Sequence, residues 1–134
     1  MPMTAEDIAQ IVQAGLDKTL GFEIVEADED HVIVSWTVGP QHLQPYGIVH
    51  GGTYCAVIES SASIGAAIWF GDRGRVVGVS NQTDFLSSVT EGRLTATAKP
   101  IHRGRSQQLW LVEVFNDDER LVARGQVRLQ NLTR

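Results

Sequence analysis

The sequence predicts an α+β fold in which one long central helix is wrapped by a curved antiparallel β-sheet. Two observations carry this prediction. The run Thr53–Phe70 contains a single charged residue, and four extended segments joined by short turns follow it. Strands joined by short turns pair antiparallel, and an apolar helix of this length has to be buried against such a sheet.

The first predicted element is an amphipathic helix over about residues 4–20. Thr4 can cap its start, and Glu6 and Asp7 place negative charge in its positively polarised first turn. Gly21 ends it. Its apolar stripe consists of Ile8, Ile11, Val12 and Leu16.

Two strands and the long helix come next. The strands are predicted at 22–27 and 31–38, on either side of an acidic turn, because apolar and polar residues alternate in the second of them. A loop rich in glycine and proline then leads to the central helix, which is predicted at about residues 52–70.

Four further strands complete the predicted sheet. They cover residues 75–86, 92–101, 106–115 and 121–129. The last has the clearest alternation, with Val122 expected to face outward and five residues inward: Leu121, Ala123, Gly125, Val127 and Leu129. The 134 residues are expected to form a single domain around one hydrophobic core.

Composition and charge exclude several classes of partner. The net charge is -5 and the basic residues are scattered, so the sequence offers no basic face to nucleic acid or to an anionic membrane. Cys55 is the single cysteine, and the first ten residues lack the pattern of a signal peptide, so a cytoplasmic protein is expected. The run Thr53–Phe70 is about the minimum length of a membrane span. Glu59 and three serines within it favour a buried helix instead.

Glu59 is the one carboxylate on the long helix. Burying an ionised carboxylate is costly unless it is paired or hydrogen-bonded, and no Lys or Arg lies within one helical turn of it. Glu59 therefore either reaches the helix surface or a distant arginine, or it serves as a general base or nucleophile in a semi-apolar site. Ser63, four residues on, lies on the same helix face and could hydrogen-bond the carboxylate or a water.

His50, Gly51 and Gly52 stand where the helix begins. Amides at a helix N-terminus have no internal partners and carry partial positive charge, and glycines let a ligand approach them closely. This is a candidate oxyanion-binding site. A tight turn from loop to helix explains the same glycines, and a lone histidine is more often structural than catalytic.

Other chemistries fit the sequence poorly. The four histidines lack the spacing of a zinc site, and no serine-hydrolase elbow or phosphate-binding loop is present, so no metal is expected. Cys55 could gain thiolate character near the helix start, but it also fits as a small buried hydrophobic residue.

Three stretches carry a family resemblance: QPYGIVHGGTYCAVIESSAS, VVGVSNQTDFLSSV and HRGRSQQLWLVEVFNDDERLVARGQVRL. They resemble hotdog-fold thioesterases of the phenylacetate-pathway type, which have an H-G-G signature before the central helix. The resemblance covers nearly the whole chain in element order. It implies the hotdog fold, hydrolysis of acyl-CoA thioesters with no cofactor beyond the CoA of the substrate, and a homodimer or a homotetramer built as a dimer of dimers.

The resemblance also implies catalytic roles for individual residues. Glu59 matches the catalytic carboxylate, and Gly51 matches the glycine whose N–H binds the thioester oxygen. His50 matches the adjacent histidine that helps to hold that oxygen. Gln44 matches a glutamine used near the thioester, and Ser63 matches a helix Ser or Thr that assists the attacking water.

A second set of residues is expected to bind the substrate. Phe85 stands near a position where aryl-specific relatives have a histidine, which implies an apolar wall, and Tyr54 hints at the same pocket. Gly52 has no side chain and therefore lets the substrate approach the helix start closely. Arg103 and Arg105 fall where relatives often place basic residues for the CoA phosphates, although they also fit as exposed hairpin arginines.

Helix geometry predicts that the site needs two chains. Gly51 and Glu59 are eight residues apart, which corresponds to about 12 Å along a helix rising 1.5 Å per residue. A thioester has to lie within about 3 Å of both its attacking group and its oxyanion donor. The two groups are therefore expected to come from different subunits, with antiparallel central helices across a two-fold axis.

Two alternatives remain at this point. A hotdog hydratase or dehydratase also pairs a histidine with a helix carboxylate, but its loop typically resembles H-F-P-G rather than the YGIVHGG found here. A non-catalytic acyl-CoA sensor usually carries an additional DNA-binding helix-turn-helix, whereas the predicted N-terminal helix is single and acidic.

Overall fold

The computed structural model describes residues 6–7, 10 and 14–134. Within these ranges two α-helices and six strands have defined bounds. They are α1 (Gly15–Thr19), β1 (Glu23–Ala27), β2 (Val32–Thr37), α2 (Gly51–Phe70), β3 (Gly74–Phe85), β4 (Arg93–Arg103), β5 (Gln107–Phe115) and β6 (Leu121–Thr133). The predicted order of elements from residue 22 onward is confirmed.

All six strands form one antiparallel sheet, in the order β1-β2-β4-β5-β6-β3. The sheet curves around α2, which contacts strands β2 to β6. Because β3 is the last strand of this order, only one of its edges is paired within the described part of the chain. We call its other edge the free edge of β3, and β3 itself packs against α2.

The core lies between α2 and the concave face of the sheet. Side chains alternate as the sequence predicts: Leu94, Ala96 and Ala98 are buried on β4. Gly65 faces Trp110 so closely that a Cβ at residue 65 would overlap the indole ring. The helix therefore approaches the sheet more closely here than a larger residue would allow.

Two local predictions are wrong. Ala14 is extended (φ −126°, ψ 161°) and Gly15 has a φ of 65°, so no continuous helix spans residues 4–20. Gly15 permits this left-handed conformation because it lacks a Cβ. Leu16 is 61% exposed, and the other stripe residues, like Thr4, lie outside the described residues. Val122 is fully buried rather than outward, beside a register shift between β5 and β6.

The long helix is a core element. Within the described ranges, no helix is both long enough and apolar enough to cross a bilayer. Val57, Ile58 and Ala62 on α2 have no exposed surface. The interpretation of Thr53–Phe70 as a buried helix agrees with this burial.

A polar contact joins α2 to the N-terminal part of the fold. The Ser60 hydroxyl donates to Asp17 Oδ1 at 2.6 Å. Burial raises the pKa of the Asp17 carboxyl above its ordinary value, and the Ser60 hydrogen bond opposes this rise. The desolvation cost of the ionised carboxylate is thus the larger effect.

We expect Asp17→Asn to raise the free energy of unfolding at pH 7, because asparagine keeps an acceptor for Ser60 without a charge. Since the folded-state pKa of Asp17 is raised, the gain should shrink as the pH falls through that pKa and the wild-type carboxyl becomes neutral. Thermal unfolding at pH 7 and at about pH 3.5 checks this. Asp118→Asn, on an exposed turn, is the matched control. An equal effect of Asp17→Asn at both pH values would contradict the raised pKa of the Asp17 carboxyl.

Candidate active site

A buried histidine fixes the loop that precedes α2. His42 Nδ1 accepts from the Gly39 N–H at 2.9 Å, and its Nε2 lies 2.6 Å from the Leu20 carbonyl oxygen. With Nδ1 as an acceptor, Nε2 carries the proton and donates to Leu20. The His42 carbonyl in turn accepts from the His50 N–H at 2.8 Å. His42 thereby sets where the loop delivers His50.

His50 is the N-cap of α2. Its Nδ1 accepts from the Gly52 N–H at 2.7 Å, so the Gly52 amide is already used within the chain. A neutral His50 with Nδ1 as an acceptor has its proton on Nε2, which points this donor away from the cap. Gly51 is the first residue of the helix, and within residues 14–134 nothing accepts a hydrogen bond from its N–H. The helix start therefore presents one free amide, that of Gly51.

The free amide of Gly51 opens into a cavity of about 330 Å³. The cavity is lined by Gln44, Ile48, Val49, Gly51, Tyr54, Phe85, Leu86, Ser87 and Ser88. Gln44 Oε1 accepts from the Tyr46 N–H, which leaves the two side-chain N–H groups of Gln44 as donors. The structure thus brings four of the predicted site residues together: Gln44, Gly51, Tyr54 and Phe85.

Aromatic side chains form the apolar part of this cavity. The rings of Tyr54 and Phe85 lie 6.2 Å apart between centroids. A Cβ at residue 51 would come within 2.6 Å of the Phe85 ring, so Phe85 packs directly on the Gly51 backbone. The Tyr54 hydroxyl is buried without a hydrogen-bond partner, and burial raises the pKa of Tyr54 to about 12. At neutral pH Tyr54 is therefore a neutral phenol.

Glu59 lies elsewhere, against β3. It is half-buried, and its Oε1 accepts from Asn81 Nδ2 at 3.1 Å. A Cβ at residue 78 would overlap Glu59 Oε2, so the absence of a side chain at Gly78 makes room for the carboxylate. Among the described residues no Lys or Arg pairs with Glu59. Of the two structural explanations for Glu59, pairing with a distant arginine is therefore excluded within this part of the chain.

Within one chain the two halves of the predicted site do not meet. Glu59 does not line the cavity at Gly51, and the straight helix between them keeps these residues about 12 Å apart along its axis. Ser63 is half-buried one turn beyond Glu59, and the structure records no hydrogen bond between these two side chains. The role of Ser63 stays a prediction.

The two arginines differ from each other. Arg103 donates to the Glu29 carbonyl at 2.7 Å and to Asp30 Oδ1 at 2.9 Å, and its guanidinium lies 5.6 Å from the Trp69 ring centroid. It is thus held at the C-terminal end of α2. Trp69 follows Gly51 by 18 residues, which is about 27 Å along the helix. Arg105 is exposed, with no side-chain partner among the described residues.

The structure adds residues that the sequence did not single out. His42 and Asn81 both hold site elements in place, and the Thr83 hydroxyl donates to Asn81 Oδ1 at 2.7 Å. The signal for Asn81 and Thr83 was their polarity on a strand that borders the core. The strand period alone could not show that they face Glu59.

Comparison with known proteins identifies the family of the chain. A family model described as "Thioesterase superfamily" matches residues 46–123. A 1,4-dihydroxy-2-naphthoyl-CoA hydrolase of Listeria monocytogenes serotype 1/2a (strain 10403S) is 36% identical to the chain, over 81% of this chain and 88% of the relative.

Solved structures share the fold. S. sahachiroi AziG is 52% identical, with a TM-score of 0.88 over 90% of this chain and 98% of that chain. A thioesterase of Staphylococcus aureus is 29% identical, with a TM-score of 0.85 over 90% of this chain and 100% of that chain. It was solved as two variants, in which a glutamate and a glutamine are each replaced by alanine. The hotdog fold implied by the sequence resemblance is confirmed.

The contact between Gly51 and Phe85 generates a stability prediction. Gly51→Ala should be stabilising in a Phe85→Ala background, because alanine favours the helix and meets no ring there. In the wild-type background the new methyl group has to displace the Phe85 ring, which is 57% exposed and free to swing. We expect a coupling free energy of about 0.5–1.5 kcal/mol between the two substitutions, measured by urea unfolding. Strictly additive effects would show that the ring does not pack on Gly51.

Proposed function

The chain belongs to the thioesterase superfamily, and we propose that it hydrolyses an acyl-CoA thioester to a free acid and CoA. One observation carries the proposal. Glu59 is a half-buried carboxylate that accepts a hydrogen bond from a neutral amide and has no cationic partner among the described residues. Such a carboxylate is retained at a cost in stability, which a catalytic role explains.

In the proposed reaction the donors at the helix start bind the thioester carbonyl oxygen. The Gly51 N–H donates to this oxygen, and the positive end of the α2 dipole stabilises the negative charge that develops on it. The Gln44 side-chain amide lines the same cavity and is a second donor. The family resemblance implies that His50 assists, with its Nε2–H as the available donor. These groups make the carbonyl carbon more electrophilic.

Glu59 then supplies the second half of the chemistry. As a general base it takes a proton from water, whose oxygen attacks the carbonyl carbon while the C–S bond breaks. As a nucleophile it attacks the carbon directly, giving a mixed anhydride that water hydrolyses. In both routes CoA leaves as a thiolate and is protonated. No cofactor beyond the CoA of the substrate takes part.

We propose that each site combines Gly51 of one subunit with Glu59 of the other. The spacing of about 12 Å along α2 supports this, because one chain cannot bring both groups to one thioester. The free edge of β3 supports it as well: Val77 and Val79 on this strand are 41% and 54% exposed. A long edge strand that carries exposed apolar side chains is a surface at which a second chain can pair. A homodimer follows from this proposal, and the dimer of dimers implied by the family resemblance stays a prediction.

The spacing of Gln44 and Glu59 supports their joint role. They are fifteen positions apart, and the glutamine and glutamate replaced in the two variants of the Staphylococcus aureus thioesterase are also fifteen positions apart in that chain. Equal spacing across the loop and the start of the central helix is expected if the two pairs occupy equivalent places.

The cavity suits an aryl or a short to medium aliphatic acyl group. Its walls include Tyr54, Phe85, Ile48 and Leu86, and the name of the Listeria monocytogenes relative specifies a naphthoyl-CoA. Arg105 is better placed than Arg103 to bind the CoA phosphates, because Arg103 is already paired with Asp30. A CoA thioester substrate and the unpaired Cys55 favour a cytoplasmic location.

Replacing the carboxylate tests the central assignment. Glu59→Gln keeps the size of the side chain but removes the base, so kcat should fall by roughly 10²–10⁴-fold, as free thiol release from a panel of acyl-CoAs would show. Glu113→Gln, on a strand surface, is the control. Near-wild-type hydrolysis by Glu59→Gln would overturn the assignment. Stoichiometric acyl-CoA binding without thiol release by the wild type would indicate a sensor, and a changed double bond in crotonyl-CoA would indicate a hydratase.

Mixing two inactive variants tests the shared site. Gly51→Pro removes the amide at the first helical position, where proline suits the helix backbone but its ring has to displace Phe85, and Glu59→Gln removes the carboxylate. Each mixed dimer should contain one intact site, so an equal mixture should regain about one quarter of the wild-type activity per chain. Co-expression with two different tags verifies that mixed dimers form. Mixed dimers without activity would show that each site lies within one chain.

A further inference from the structure

We propose that Asn81 is a positioning residue that holds the Glu59 carboxylate in its reactive orientation, an inference that rests on the proposed function. Asn81 lies on β3, in the part of the strand that faces α2. Its side-chain nitrogen donates to Glu59 Oε1 and to the Cys55 carbonyl oxygen, each at 3.1 Å. The Cys55 carbonyl belongs to the helical turn that ends at Glu59.

The orientation of the Asn81 amide is fixed by its surroundings. Thr83 Oγ1 donates to Asn81 Oδ1 at 2.7 Å, so the oxygen of the amide faces Thr83 and the nitrogen faces the helix. Each N–H of the Asn81 side chain then has its own acceptor, on Cys55 or on Glu59. All polar groups of this amide are satisfied, which favours a single orientation.

A backbone irregularity brings Asn81 to this place. The pairing of β3 with β6 shifts between Gly78 and Ser80, so Val79 is an extra residue in β3. Before the shift, Gly78 pairs with the buried Leu129; after it, Asn81 pairs with the buried Val127. With uninterrupted alternation, the even-numbered residues after Gly78 would face the helix instead. The bulge therefore turns Asn81 and Thr83 toward α2.

The contact with Cys55 is not needed to complete the helix. Its carbonyl already has an acceptor role in the ladder of α2, where the amide four residues later donates to it. A second donor there adds little to helix formation, but it anchors the Asn81 nitrogen on the turn that carries Glu59. Because Asn81 takes up Oε1, Glu59 Oε2 is left beside Gly78, next to the free edge of β3.

This arrangement has a chemical consequence. A glutamate side chain has three rotatable bonds, and its freedom has to be lost before the carboxylate can reach the thioester or a water. The Asn81 hydrogen bond fixes one oxygen and leaves the other to react. It also donates to the ionised form of the carboxylate, which is the form that either proposed role of Glu59 requires.

Three substitutions on β3 test the proposal through kcat and KM. Asn81→Ala should lower kcat for acyl-CoA hydrolysis by roughly 10–100-fold and change KM by less than about twofold, because Asn81 lies outside the substrate cavity. Asn81→Asp keeps the acceptor for Thr83 but replaces both donors with a charge that repels Glu59, so its loss should be larger. Thr83→Val should give a smaller loss in the same direction. Gln82→Ala, on the opposite face of the strand, is the matched control and should retain wild-type kcat.

Non-additivity separates positioning from a general effect on the fold. In a Glu59→Gln background the residual kcat should be the same with and without Asn81→Ala, since there is no carboxylate left to orient. Thermal unfolding of every variant confirms that each is folded. A further loss from Asn81→Ala in this background, or a wild-type kcat for Asn81→Ala while Glu59→Gln is inactive, would overturn the positioning role alone. Absence of acyl-CoA hydrolysis by the folded wild type would overturn the proposed function and this inference together.

Discussion

The rigidity of one buried helix determines how this protein can work. α2 is enclosed by five strands, and residues such as Val57, Ile58 and Ala62 have no exposed surface, so the helix cannot bend or shift without disrupting the core. Its length keeps the free amide of Gly51 and the carboxylate of Glu59 apart. Because α2 holds these two groups apart, the proposed reaction requires two chains to pair.

The sheet ends at β3, and this edge strand is the one that lies beside Glu59. Its other strands cover α2 on the side of Trp110 and the buried residues of β4 to β6, whereas β3 leaves one edge unpaired in the described part of the chain. Glu59 lies beside this strand, and Asn81 and Gly78 of the same strand accommodate it. The element that holds the carboxylate is thus also the element that offers a surface to a second chain.

Sequence reasoning predicted most of the architecture because each signal was local. A run with a single charged residue indicated α2, and alternation on β4, and on β6 apart from Val122, indicated which side chains are buried. It failed where a single residue changes the backbone. Gly15 interrupts the N-terminal helix, and Val122 is buried next to the place where the pairing of β5 with β6 shifts. Neither effect has a periodicity that could be read in advance.

The candidate site shows the same contrast between features with a local signal in the sequence and features that depend on the folded structure. Residue chemistry drew attention to Glu59 and to the glycines at the helix start, but both also had structural explanations, and the family resemblance was needed to assign their catalytic roles. The supporting contacts depend on long-range geometry and were not predicted: His42 bridges to Leu20, and Phe85 packs on Gly51. His50 proved to be both the cap of α2 and a neighbour of its free amide.

The bulge at Val79 also constrains how this sequence can vary. Substitutions on β3 change one side chain at a time, but loss of the bulge with Val79 still in the chain would exchange the two faces of the rest of the strand. Ser80 and Gln82 would then occupy the places of Asn81 and Thr83. For protein engineering, β3 is therefore a segment whose bulge has to be preserved when its exposed side chains are diversified, whereas deleting Val79 would leave Asn81 opposite Val127.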